Sequence, residues 1–252
     1  MSDPQKIIIT TSFLVLTGYD ERYRLIPEMM PKFIKQAVIR YILTLLFVSF
    51  VLFLPAGSIK FWNAWIFIGA LFLPAFFALV YFVIIDPDLL QKRLKTKEKE
   101  KTQRIFNILY IITFIITLII TGLDFKYHWS IVPVWLVIVA TGIMICSYFM
   151  LLLVLKQNSY ASRVVEIQKG QKVIDIGLYS VVRHPMYLSA LIFFCPMPLV
   201  LGSLYAFIIP VILAPFLLLI RIINEEKVLK NNLNGYKEYV KKVKYRLIPF
   251  VW

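Results

Sequence analysis

The amino-acid sequence predicts an all-α integral membrane protein with about six transmembrane helices, the last two of which form a hairpin before a C-terminal tail. Of its 252 residues, 60% are apolar and only 17% are charged, whereas soluble domains stay nearer half apolar. The apolar residues form long uninterrupted blocks, and none alternates as a strand of a transmembrane barrel would. Helices are therefore the expected spanning form, because a helix satisfies its own backbone hydrogen bonds.

Six apolar blocks approach the length of about 20 residues that a bilayer requires. They cover residues 39–54, 62–85, 105–121, 132–155, 187–201 and 205–223. The first, third and fifth are short, so we expect tilting or extension into the flanking residues. The blocks divide the chain into an N-terminal interfacial segment (1–36), a four-helix region (37–155) with a basic loop (86–104), and a C-terminal region (156–252).

The basic residues lie between the apolar blocks and give the chain a formal net charge of +14, from 28 Lys and Arg against 14 Asp and Glu. Seven bases fall in residues 91–104 and five in residues 156–183, and the tail after residue 227 is richer still. The intervening loops carry only Lys60 and Lys126. This asymmetry predicts cytoplasmic termini and basic loops beside anionic lipid. It does not favour nucleic acid as a partner, because the bases form no amphipathic face.

The two cysteines, Cys146 and Cys195, lie inside apolar blocks, and no Cys/His cluster has the spacing of a metal site. We therefore expect no metal. Four prolines interrupt the last two blocks, at positions 196, 198, 210 and 215. Each tends to kink its helix, which would open a lateral groove for a lipid, although membrane helices also tolerate proline without such a role.

Polar residues cluster near one end of the last two blocks, within residues 177–187 and 221–226. A short turn at residues 202–203 makes these blocks antiparallel, so the two clusters emerge at the same membrane face. Arg221 and Glu225 are four residues apart and share one face of a helix. The sequence therefore predicts a charged pocket at the cytoplasmic surface, formed by the hairpin and the tail.

The residue types in this pocket suit two kinds of ligand. Carboxylates bind an ammonium group or ribose hydroxyls, and a guanidinium clamps a carboxylate or phosphate. Aromatic rings cover an adenine or face a cationic sulfonium. The set is complementary to S-adenosylmethionine beside an anionic acceptor, and also to a dinucleotide. A transporter or scaffold would instead place polar residues near the middle of the bilayer.

The pattern Gly-x-Tyr-x-x-x-Arg-His-Pro-x-Tyr at residues 177–187 is followed, after the hairpin, by Arg-x-x-x-Glu-Glu at residues 221–226. This pattern resembles the isoprenylcysteine carboxyl methyltransferases, whose wider group includes membrane phospholipid N-methyltransferases. The resemblance extends from about residue 158 to the C-terminus. Leu178 and Ser189 stand where the family often has proline and glycine, and neither change removes a polar group.

The resemblance implies methyl transfer from S-adenosyl-L-methionine to a lipophilic acceptor, above all the carboxylate of an isoprenylcysteine-type substrate. A phospholipid amine or a small thiol are alternative acceptors. It implies Arg183 and Arg221 as catalytic residues, with Arg221 also facing the acceptor. It assigns cofactor binding to Gln171, Lys172, Val173, Ile174, Tyr179, His184, Pro185, Met186, Tyr187, Glu225 and Glu226. The membrane would be the plasma membrane of a prokaryote or the endoplasmic reticulum of a eukaryote.

A membrane reductase of the sterol type is the main alternative enzyme, since it has a similar hairpin and an Arg-His-Pro-like turn. Such an enzyme would bind NADPH and would need additional basic residues for the 2′-phosphate. The adjacent acids Glu225 and Glu226 disfavour a third phosphate nearby.

The distribution of basic residues yields a first test. A reporter fused after Trp252 is expected to be cytoplasmic, because the basic loops orient the chain. A second fusion, in the loop that contains Lys126, is expected on the opposite side. Protease protection or compartment-specific labelling measures both, and an extracytoplasmic C-terminal reporter would contradict the predicted orientation.

Overall fold

A computed structural model describes residues 26–94, 101–161, 168 and 170–252, with only the backbone for residues 26–31, 101 and 102. The chain divides into two compact units, Met1–Tyr41 and Ile42–Trp252. Residues 26–41 of the first unit are the beginning of a helix. The rest of the predicted interfacial segment lies outside the described residues. Everything below concerns the second unit.

The described residues are helical, and their only sheet-like pairing is one parallel bridge between Val182 and Tyr245. The helices are α1 (Ile26–Ala56), α2 (Trp62–Ile85), α3 (Pro87–Leu94), α4 (Lys101–Tyr127), α5 (Val134–Gln157), α6 (Pro185–Phe194), α7 (Met197–Val200), α8 (Tyr205–Asn232) and α9 (Tyr236–Lys242), with a short 3₁₀ helix at Gly177–Ser180. Five stretches within these ranges are long and apolar enough to cross a membrane: Lys32–Ala56, Trp62–Ile85, Gln103–Tyr127, Val134–Gln157 and Leu204–Asn232. The predicted all-α membrane class is confirmed.

The basic loop predicted at residues 86–104 contains a helix of its own, α3. Pro87 begins α3, a position where its missing N–H costs nothing. Asp86 caps the helix, because its Oδ1 accepts a hydrogen bond of 3.0 Å from the N–H of Leu89. The hydropathy pattern could not reveal α3, because eight mostly polar residues carry little apolar signal.

The predicted fifth span, residues 187–201, is divided between α6 and α7. Pro196 has no N–H to donate, so the helix is interrupted at Cys195 and Pro196. Together the two helices run from Pro185 to Val200, which gives a length of about 24 Å. That is less than the hydrocarbon thickness of about 30 Å. Where the sequence predicts six spans, the described residues contain five helices long enough to span a membrane and one shorter apolar helix pair.

The short helix pair is held by neighbours on two sides. Helix α5 packs along α6 and α7, while α8 runs back beside α6 and packs along α4. At the hairpin turn, Asp124 of α4 accepts hydrogen bonds from the backbone N–H and hydroxyl of Ser130 and from the hydroxyl of Ser203. Asn63 donates to the carbonyl of Val200 over 3.0 Å. These bonds fix the direction in which α8 returns toward the polar clusters.

Helix α4 approaches the end of α1 closely at Gly122, which is buried. A Cβ at this position would lie 2.8 Å from the carbonyl oxygen of Leu52 and 3.0 Å from Cβ of Pro55. Both neighbours are parts of a helix and cannot move aside as a flexible side chain would. Gly142 in α5 provides a contrast, since a Cβ there would meet nothing within 4 Å.

We therefore expect Gly122→Ala to lower the stability of the protein by about 1–3 kcal/mol, because the added methyl group overpacks a backbone contact. The control Gly142→Ala should leave stability unchanged or raise it slightly, because alanine is the better helix former. Thermal unfolding in detergent compares the two variants. Equal midpoints would show that the α1–α4 contact is not tight.

Candidate active site

A cleft of about 880 Å³, counting the space open to solvent, lies beside the beginning of α6 and the C-terminal half of α8. The loop before the 3₁₀ helix and the helix α9 complete its wall. The lining residues are Asn158, Tyr160, Ala161, Gln171, Lys172, Val173, Ile174, Tyr179, Arg183, His184, Met186, Tyr187, Arg221, Glu225, Leu229, Leu233, Tyr236 and Tyr239.

Nine of the eleven residues to which the sequence assigns cofactor binding line this cleft, and so do both predicted catalytic arginines. The two exceptions are Pro185 and Glu226. Pro185 is buried as the first residue of α6, where it initiates the helix. Glu226 is also buried, and its carboxylate contacts basic side chains rather than the cleft.

The centre of the cleft is a chain of hydrogen bonds between α6, α8 and α4. The phenol of Tyr187 donates to Oε2 of Glu225 and accepts a bond of 2.7 Å from Nε of Arg221. Nη1 of Arg221 donates to Oδ1 of Asn107 over 3.0 Å. The guanidinium also lies 4.8 Å from the ring centre of Phe106, within cation–π distance. The orientation of Arg221 is thus set by partners on both neighbouring helices.

Glu226 is the centre of a buried ionic cluster behind the cleft. Its Oε1 accepts a hydrogen bond of 2.7 Å from Nε of Arg183, and both side chains are at most 4% exposed. Its Oε2 lies 3.3 Å from Nε of Arg246 and 3.4 Å from Nζ of Lys230. Nε2 of His184 is 3.5 Å from the same carboxylate but makes no hydrogen bond among the described residues. One carboxylate therefore compensates several cations that come from distant parts of the chain.

Arg183 and its neighbours also bind the C-terminal tail through the backbone. Nη1 of Arg183 donates to the carbonyls of Val243 and Lys244 at 2.8 and 2.9 Å. The backbone N–H groups of Arg183 and His184 donate to the carbonyls of Tyr245 and Arg246, each over 2.9 Å. Through these contacts, Arg183 holds the C-terminal tail against the loop before α6 and so stabilises the wall of the cleft.

The 3₁₀ helix that carries Tyr179 depends on a glycine. Gly177 has a φ of +56°, and a Cβ there would lie 2.3 Å from the side-chain amide of Gln157. Oε1 of Gln157 in turn accepts a bond of 3.0 Å from the N–H of Leu178. The phenol of Tyr179 is then placed to accept from Nδ2 of Asn158 over 2.9 Å. The glycine of the sequence motif thus combines a left-handed backbone conformation with space for the side chain of Gln157.

Three tyrosines of the wall remain protonated at neutral pH. Burial raises the pKa of Tyr179 to about 12. Burial also raises the pKa of Tyr236 and Tyr239, with nearby acidic and phenolic groups adding to the effect. A protonated phenol can donate a hydrogen bond, so each tyrosine is a potential donor to a ligand or to the backbone.

The sequence prediction omitted several lining residues. Leu229 and Leu233 continue the face of α8 that carries Arg221 and Glu225, because all four are spaced by four residues. Tyr236 and Tyr239 are three residues apart and also share one face, that of α9. The i, i+3 and i, i+4 spacings could have revealed these residues. Asn107 could not be found in this way, because only the packing of α4 against α8 brings it to Arg221.

Comparison with known proteins adds the decisive observation. Residues 135–231 match the isoprenylcysteine carboxyl methyltransferase family. The match confirms the resemblance expected from the sequence. Its segment contains Arg183, His184, Tyr187, Arg221 and Glu225, the residues on which the cleft is built. A comparison with curated proteins gave no match. Together with the apolar helices, the isoprenylcysteine carboxyl methyltransferase match supports a membrane methyltransferase.

The ionic cluster leads to a stability prediction. Glu226→Gln keeps the shape of the side chain but removes the charge that compensates Arg183. Loss of one partner of a buried pair costs about 3–5 kcal/mol, so we expect the thermal midpoint to fall by roughly 6–12 °C. Thermal unfolding in detergent measures the change.

Glu238→Gln is the matched control, because Glu238 is exposed on α9. Its midpoint should change by no more than a degree or two. If Glu226→Gln lowered the midpoint no further than this control, the cluster would not hold the tail.

Proposed function

We propose that this protein is an S-adenosylmethionine-dependent methyltransferase that methylates the carboxylate of an isoprenylcysteine-type substrate at the cytoplasmic face of its membrane. The hydrogen-bonded group of Arg221, Tyr187 and Glu225 carries the proposal, because it places a cation and an anion in one cleft within the segment that matches the family. S-adenosylmethionine carries an ammonium group and a sulfonium, and its acceptor is an anion, so the two charges of the cleft match the two reactants.

The residues of the cleft fit the cofactor. Glu225 is half-buried and lines the cleft, so its carboxylate can accept from an ammonium group or from ribose hydroxyls. Tyr179 and Tyr187 supply aromatic surface that a sulfonium cation favours. His184 also lines the cleft, and the contact of its Nε2 with Oε1 of Glu226 at 3.5 Å orients its ring. When bound, S-adenosylmethionine supplies an electrophilic methyl group.

Arg221 would bind the acceptor. A guanidinium pairs with a carboxylate through two parallel hydrogen bonds, which fixes the orientation of the anion. Asn107 and Phe106 of α4 hold the guanidinium from one side, and Tyr187 holds it from the other. Helix α4 lies outside the matched segment, so residues beyond that segment position the one that would bind the acceptor.

The acceptor carboxylate needs no general base, because it is ionised at neutral pH and already nucleophilic. The residues of the cleft would therefore act by alignment and by excluding water. Tyr187 links the two halves of the site, since one hydroxyl contacts both Glu225 and Arg221.

Basic residues beside the cleft support the cytoplasmic orientation. Nη1 of Arg93 in α3 lies 3.3 Å from the sulfur of Met186, a residue of the cleft wall. Nζ of Lys92 donates to the carbonyl of Ser159 over 2.9 Å. The basic loop and the cleft are therefore at the same end of the helices, and lysine and arginine favour the cytoplasmic side.

Two substitutions test the proposed roles in the solubilised full chain. Glu225→Ala is expected to abolish binding of S-adenosylhomocysteine, because the cleft loses its half-buried carboxylate. Arg221→Ala should retain that binding but raise the KM for N-acetyl-S-farnesylcysteine by roughly ten- to hundredfold, the effect of one lost charged hydrogen-bond pair. Ligand titration and transfer of a labelled methyl group measure the two effects separately.

The control substrate is the carboxamide of the same farnesylcysteine, which lacks the acceptor oxygen anion and should receive no methyl group. NADPH should not raise the thermal midpoint under conditions in which S-adenosylhomocysteine does. Stabilisation by NADPH alone, or an unchanged titration in Glu225→Ala, would contradict the proposal.

A further inference from the structure

Tyr236 presents a buried hydroxyl to the cleft without a hydrogen-bond partner among the described residues. Its side chain is only 4% exposed, and it begins α9, beyond the segment that matches the family. Buried phenols are nearly always hydrogen-bonded, since an unpaired one forfeits its interaction with water. The hydroxyl is therefore expected to find its partner in a bound ligand.

Tyr239 lies on the same face of α9, and its hydroxyl does have a hydrogen-bond partner. Its hydroxyl donates to the carbonyl of Tyr179 over 2.7 Å and joins α9 to the 3₁₀ helix. The two tyrosines are similarly buried, and their rings lie 5.6 Å apart. The hydroxyl of Tyr239 thus stabilises the wall of the cleft. The hydroxyl of Tyr236 has no such bond among the described residues and can donate to a ligand.

The surroundings of Tyr236 indicate what kind of group it binds. Its ring packs in an apolar cluster with Leu233, Leu229 and Val173, and all three of these residues also line the cleft. The carboxylates of Glu225 and Glu226 are near enough to disfavour ionisation of the phenol. They would equally disfavour an anionic ligand group here. The site suits a flat apolar body that carries a neutral hydrogen-bond acceptor.

We propose that Tyr236 binds the adenine base of the cofactor, with its hydroxyl donating a hydrogen bond to a ring nitrogen. Val173, Leu229 and Leu233 provide the apolar walls against which the base packs. This inference rests on the proposed use of S-adenosylmethionine. It adds a residue of α9 to the cofactor-binding residues that the sequence assigned.

The test combines Tyr236→Phe with analogues of S-adenosylhomocysteine in which N1, N3 or N7 of the base is replaced by carbon. Titration of the solubilised full chain measures the affinity of each ligand for the wild-type protein and the variant. Tyr236→Phe should weaken binding of S-adenosylhomocysteine by roughly three- to tenfold, the effect of one hydrogen bond. One of the three analogues should bind the wild-type protein more weakly than S-adenosylhomocysteine does, by the same factor. Tyr236→Phe should not weaken the binding of that analogue further.

The ligand-free protein provides an independent readout. Tyr236→Phe should leave its thermal midpoint unchanged or higher, because the substitution removes an unpaired buried hydroxyl. The matched control Tyr239→Phe should lower the midpoint by about 2–4 °C, because it breaks the bond to Tyr179.

Three results would overturn the assignment of Tyr236 while leaving the proposed function intact. They are an unchanged affinity in Tyr236→Phe, a ligand-free midpoint as low as that of Tyr239→Phe, and equal losses for all three analogues in both proteins. Failure of the wild-type protein to bind S-adenosylhomocysteine would instead contradict the proposed function itself.

Discussion

The buried carboxylate of Glu226 is the interaction on which the rest of the site depends. It compensates Arg183 before α6 and Arg246 in the tail, two cations that are distant in sequence, as well as Lys230 one turn further along α8. Burying a carboxylate is costly unless cations and hydrogen bonds surround it. The cluster therefore has one favourable arrangement, in which the loop before α6 and the tail meet at α8. The cleft lies in front of that junction.

Glu225 and Glu226 are adjacent in α8 but have different roles. Glu225 faces the cleft and accepts from Tyr187, whereas Glu226 points about 100° further around the helix into the ionic cluster. The paired acids of the motif thus combine a ligand-facing group with a structural one. The same division recurs in α9, where the hydroxyl of Tyr236 has no partner in the described part of the chain and Tyr239 donates to the backbone.

Much of this arrangement could be predicted from the sequence, because hydropathy and spacing are local properties. They led to the helical membrane class, the hairpin and the convergence of Arg221 with Glu225. Spacing could not separate Glu226 from Glu225, since neighbouring acids look equivalent until their partners are known. It also could not identify Asn107, whose contact with Arg221 is tertiary. Pro196 itself is visible in the sequence. How far it shortens the fifth span depends on where α6 begins, which only the structure gives.

That interruption has a consequence for the surrounding lipid. An apolar element of about 24 Å is shorter than the hydrocarbon layer by roughly 6 Å, and a bilayer adapts to such a mismatch by thinning or by admitting headgroups and water. The thinned region would border α6, whose first residues form the wall of the cleft. A prenyl chain could then remain dissolved in the hydrocarbon while its polar end reaches Arg221. Substrate delivery would require no extraction from the membrane.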